Sequence, residues 1–281
     1  MNNDIFSSTR FLYYVKQYAC ENKKKLIQFG LAIIGVLIFS AVIRPIINGT
    51  YTYTYSYDPM WGKEQFMFWT ILYFGVAVGG AYAFNTYDTK GKRIYSLTIP
   101  VSNLEKYLTY ILFYGLGVYL CSFIGLFISD YIRVWTAPIY ASPGSIIEPM
   151  PLKYLFSFDT SDAQAMQLMK MMVFISLITI QAYFILAGTI WPKYGMMRGF
   201  LSTIALYMIL GFIVYLSFQT IFAINGHMIV FRFEEALRNL DPYITFKAVL
   251  TSGYIVGSLI AIGLYMLSYL RFKEMESIER W

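Results

Sequence analysis

Long apolar blocks alternate with polar segments along the chain, at about 26–43, 66–84, 107–129, 171–191, 199–223 and 248–270. A hydrocarbon core about 30 Å thick needs roughly 20 apolar helical residues, because no backbone amide can go unpaired there. The pattern predicts an all-α integral membrane protein with six transmembrane helices. Barrel strands would alternate apolar and polar residues over short runs, and no such series occurs. The first block follows 25 polar or amphipathic residues and runs into Arg44-Pro45, so it reads as a retained anchor rather than a cleaved leader. The expected organisation is an interfacial helix with a basic cluster over 1–25 and a transmembrane domain over 26–281.

Before the first block, residues 7–25 place Phe11, Tyr14, Val15 and Tyr18 on one helical face, with Arg10, Gln17 and Glu21 away from it. Ser7 or Ser8 can cap this helix, which is expected to lie in the headgroup layer. Of the 22 Lys and Arg residues, 14 fall in the segments that share a side with the N-terminus. The positive-inside bias therefore predicts that both termini are cytoplasmic.

Composition narrows the chemistry. The chain is 58% hydrophobic and 14% charged, with a net charge of +6 concentrated on the expected inner side. That distribution fits anionic lipid headgroups as partners and gives no reason to expect nucleic acid. The one histidine, His227, rules out sites built on paired histidines, and there is no CxxC pair. Cys20 and Cys121 read as unpaired thiols. No GxxxxGK[ST] phosphate loop occurs, so ATP hydrolysis by that route is excluded on this chain. No enzyme activity, cofactor or metal is expected.

The segment after 199–223 alternates apolar and charged residues up to Pro242, and Glu234 with Arg238 supports a short surface helix. "TYTYTYSY", at 50–57, reads as an interfacial tyrosine girdle. The segment over 130–170 is expected to be an irregular, proline-rich outer loop that caps the helices or docks a partner. Gly75 with Gly79, and Gly253 with Gly257, let helices approach closely, within one chain or between copies.

"YDTKGKRIYSLTIPVSNLEKY", residues 87–107, departs from a plain connector. A helix in it must end before Pro100, because the residue preceding proline avoids helical geometry. Ser102 then starts the next helix, with Glu105 three residues on as a capping box. The outcome is a stiff element with a fixed end.

Six spans, an amphipathic helix before the first and this basic inner loop together resemble the permease subunit of a type-2 exporter of the ATP-binding-cassette class. "SLTIPVSNLEKYL", at 96–108, is similar to a stretch of small permeases of this class from the Bacteroidetes lineage. The resemblance implies that 90–100 is a coupling helix docking a separate cytoplasmic ATPase subunit. In it, Tyr95, Leu97 and Ile99 would be apolar contacts, Lys92 and Arg93 charge contacts, and Pro100 the end. It also implies a second inner contact at 192–198, re-entrant or surface helices after the fifth span, and a second permease copy or homologous permease as partner. The location it implies is a bacterial inner membrane and the direction export, while the aromatic share of 19% and the lack of charge within the spans point to an amphipathic cargo. The competing expectation is a non-transporting membrane scaffold or sensor partner that docks a cytoplasmic protein.

Overall fold

The computed structural model describes residues 6–48, 60–87, 89–139, 147–157, 163–239 and 242–278. All regular structure among them is helical: α1 (Ser8–Glu21), α2 (Lys23–Asn48), α3 (Met60–Tyr82), α4 (Lys90–Thr98), α5 (Asn103–Ile111), α6 (Gly117–Thr136), α7 (Leu152–Leu155), α8 (Ala163–Ile190), α9 (Gly195–Asn239) and α10 (Pro242–Ile278). A single π turn, Leu112–Leu116, joins α5 to α6, and short 3-10 turns occupy Asn85–Tyr87 and Ala137–Ile139. Six stretches are long and apolar enough to cross a bilayer: Lys23–Ile43, Trp61–Tyr82, Asn103–Ile139, Met166–Ile190, Gly195–Ser217 and Lys247–Met275. The chain is an all-α multi-pass membrane protein.

Close backbone approach organises the bundle. A Cβ added to Gly79 would lie 2.5 Å from the Tyr114 carbonyl oxygen, so α3 meets the π turn at a distance that only glycine permits. Gly75 faces Val118 of α6 in the same seam. Gly253 and Gly257 seat α10 against Met172 and Ile175 of α8, and Thr179 donates to the Gly257 carbonyl at 3.4 Å. Both glycine pairs thus sit in seams within one chain.

Three expectations about the connecting segments change. Residues 130–139 are not loop: α6 continues through them, and Arg133 is only 1% exposed. Its guanidinium donates to Asp130 Oδ1 at 2.9 and 3.0 Å and to the Glu148 carbonyl at 2.7 Å, while Asp130 Oδ2 accepts from the Met150 amide at 2.7 Å. A charge pair that reads as polar loop in sequence is therefore a buried clamp on the segment beyond it. Gln65 Nε2 extends the clamp, donating to the carbonyls of Leu155 at 3.0 Å and Ser157 at 2.8 Å.

Past the fifth span there is neither a re-entrant turn nor a separate surface helix up to Asn239, because α9 runs unbroken for 45 residues. At 1.5 Å per residue that is about 67 Å, more than twice a bilayer core. A mixed polar and apolar segment can prolong a helix once it has left the hydrocarbon, since water then solvates its charges. The side chains of His227, Glu234 and Arg238 lie outside the described residues, as does the whole of 50–57.

The third correction concerns α1. Tyr14 and Tyr18 are buried as the amphipathic pattern requires, but Arg10 shares their face, one turn earlier at i, i+4 spacing. Ser7 occupies the cap position without a side-chain cap bond.

Candidate functional site

The segment that breaks the connector pattern, 87–107, meets α1 in a polar junction. Its centre is Glu105, at 0% exposure. The capping box forms around it: the Ser102 hydroxyl accepts from the Glu105 amide at 3.3 Å, and the Glu105 carboxylate accepts from the Ser102 amide at 2.9 Å. The same carboxylate takes a 2.7 Å bond from the Ser7 amide and bonds of 3.0 to 3.3 Å from Arg10 Nη2 and Nε. One side chain thus fixes the start of α5 and both the amide and a guanidinium of α1. A buried carboxylate needs such partners, because desolvating it without them costs several kcal/mol or more.

α4 is tied to its surroundings through Ser96 on its inner face and Tyr95 on its outer one. Lys106, 2% exposed, donates from Nζ to the Ser96 carbonyl at 2.9 Å. The Ser96 hydroxyl bonds that of Tyr87 at 2.7 Å. The Tyr95 phenol donates to Glu21 Oε1 at 3.0 Å, and this bond to a carboxylate holds its pKa above the ordinary value. The helix ends where Pro100 demands, with Ile99 extended at φ −76°, ψ 120°.

The outward face of α4 differs from the one the resemblance implies. Ile94 and Tyr95 are 53% and 52% exposed, and Gly91 and Thr98 are exposed on the same stripe. Ile99 instead is half-buried and lines an open pocket with Tyr14 and Tyr18, whose rim carries the exposed Glu21 and Lys25. Leu97 is two residues from both Tyr95 and Ile99 and cannot share a helical face with either, and Ile99 lies past the end of α4 in extended backbone. Ile94, which that spacing passes over, is the apolar neighbour that points outward with Tyr95. The side chains of Lys92, Arg93 and Leu97 lie outside the described residues.

From α4 an aromatic core leads into the bundle. Tyr87, at its base, meets Phe272 of α10 edge-on at 5.4 Å between ring centroids, and Phe84 at 6.4 Å. Phe84 and Tyr110 both contact Phe272, while the Tyr107 hydroxyl bonds Ser268 and donates to the Tyr265 carbonyl at 3.2 Å. Interlocked rings at native packing density transmit displacement rather than absorb it. The Ser96–Tyr87 bond thus links α4 to a run of contacting rings, Tyr87, Phe84 and Phe272, that ends on α10.

The second inner segment implied by the resemblance, 192–198, comprises the tight turn between α8 and α9 at 192–194 and the first turn of α9. Lys193, Tyr194 and Arg198 are exposed there, with both cations stacked on the Tyr194 ring.

Comparison with protein-family models, curated proteins and solved structures returned no match.

Proposed function

We propose that the chain is the membrane subunit of an ATP-driven transporter of the ATP-binding-cassette type, coupled to a separate cytoplasmic ATPase through α4. The carrying observation is the mounting of α4: a short helix with a defined end and an outward Ile94–Tyr95 face, held to α5 through the Lys106–Ser96 bond on its inner side and to α1 through the Tyr95–Glu21 bond. A connector that served only to join two spans would not need a buried carboxylate, a buried lysine and a capping box at its base. The similarity of 96–108 to small type-2 permeases supports the same reading, as does the absence of a phosphate loop from this chain.

In this reading the junction and both termini are cytoplasmic, and closure of the ATPase drives α4 toward the Tyr87–Phe272 contact. A second permease copy or homologous permease completes the transporter. The apolar surface of α9, exposed from Ile204 to Leu216, suits either such a neighbour or lipid. The bacterial inner membrane is the proposed location, and an amphipathic molecule the proposed cargo.

The test is purification of the tagged full chain from its native membranes, wild type beside Ile94→Asp/Tyr95→Asp. The reading expects a co-purifying chain that carries GxxxxGK[ST], lost from the variant. A docked protein without that motif would favour a scaffold or sensor partner instead.

A further inference from the structure

A cavity of about 520 Å³ opens where the end of α3 meets the turn between α8 and α9. Its two halves differ in character. Ala81, Phe200, Leu201 and Ile204 form an apolar wall, whereas Asn85 and Lys193 stand at the rim. Lys193 and Tyr194 line the cavity, and Arg198, one residue beyond the lining Met197, is tied to it through the same ring: Lys193 Nζ lies 5.4 Å and Arg198 Cζ 5.6 Å from the Tyr194 centroid. Neither has an acidic partner among the described residues.

The placement of these halves selects the occupant. Ala81 and Tyr82 end one membrane span, and Gly195 begins another. The cationic rim is therefore at the edge of the hydrocarbon, while the wall descends into it. Gly195 to Ile204 is nine helical steps, about 14 Å, close to half a bilayer core. An apolar wall one leaflet deep below a pair of cations matches the shape and charge of a lipid with a net negative headgroup. A zwitterionic lipid carries its own ammonium, which offsets the attraction.

We propose that this cavity binds an anionic phospholipid from the surrounding leaflet, with its phosphate at Lys193 and Arg198 and an acyl chain along Phe200, Leu201 and Ile204. The site is independent of the transport reading, since it needs neither an ATPase nor a cargo.

The experiment is native mass spectrometry of the purified full chain, titrated with dioleoyl phosphatidylglycerol or dioleoyl phosphatidylcholine. At about 1 kcal/mol per surface cation, the wild type should prefer phosphatidylglycerol by roughly tenfold to thirtyfold. Lys193→Gln/Arg198→Gln should bring the two lipids within about twofold, on the same scale. Lys23→Gln/Lys24→Gln removes equal charge from exposed positions outside the cavity and should keep the preference. Millimolar inorganic phosphate should not displace the lipid, because it cannot occupy the apolar wall. Equal binding of both lipids by the wild type would overturn the assignment. So would a preference that survives Lys193→Gln/Arg198→Gln, one lost equally in the control, or displacement by free phosphate.

Discussion

Arg10 of α1 closes on the fully buried carboxylate of Glu105, 95 residues away, with its Nη2 3.0 Å from Oε1. The contact joins the helix before the first span to the start of the third, beside α4. Because Arg10 keeps partial exposure, its pairing is weaker than a fully buried one, yet its loss strands a desolvated charge. Arg10→Ala should lower stability by about 2 kcal/mol, measured by thermal unfolding in detergent. Arg10→Lys, which keeps the charge but loses the fork, should cost less.

A side chain on Gly115 in the π turn would meet the end of the Gln181 side chain. Its added Cβ would lie 2.2 Å from Gln181 Nε2, so the buried Gln181 must move and abandon the 3.4 Å bond from Tyr119. Gly115→Ala is expected to cost about 1 to 3 kcal/mol. Gln181→Ala in the same chain should recover much of that loss, a coupling that a double-mutant cycle measures directly.

The Asp130–Arg133 clamp gives a third outcome. Arg133→Ala removes the guanidinium from the buried Asp130 carboxylate, which keeps the bond from the Met150 amide, and takes a donor from the Glu148 carbonyl, which keeps the 3.1 Å bond from the Trp61 indole. The expected cost is about 3 kcal/mol. Hydrogen exchange should rise across 147–157 well before it rises at the α3–α8 seam, because the segment loses its anchor while the bundle keeps its own.

The two faces of α4 should separate docking from folding. Ile94→Asp adds a charge on an exposed position and should leave the unfolding midpoint near wild type while weakening ATPase co-purification. Ile99→Asp puts a charge into the pocket between α1, α4 and α5, and should lower stability by at least about 1 kcal/mol.

What could be read from sequence was local or strongly periodic. Six spans follow from apolar run length, the end of α4 from Pro100, and the Ser102–Glu105 box from spacing alone. The Arg10 partner of Glu105 could not be read, because no local rule reaches across 95 residues. One signal for it was present: Arg10, Tyr14 and Tyr18 share an i, i+4 face, so a cation stood on the stripe that had to be buried. The resemblance names Tyr95, Leu97 and Ile99 and passes over Ile94, which the helical period places beside Tyr95 on the exposed stripe of α4. The length of α9 was hidden because charged residues beyond a span look alike whether they form a loop or a solvated helical extension. Asp130 and Arg133 read as loop charges in the sequence for the same reason, since only their mutual geometry buries them.

Cysteine cross-linking at position 94 tests the central claim most directly. In a Cys20→Ser/Cys121→Ala background, Ile94→Cys is treated in native membranes with a short bifunctional thiol reagent, and the adduct is identified by mass spectrometry. The account predicts a covalent partner carrying GxxxxGK[ST], with a yield that changes when ATP and vanadate are added. An adduct only with a protein lacking that motif, or a yield indifferent to nucleotide, would contradict it.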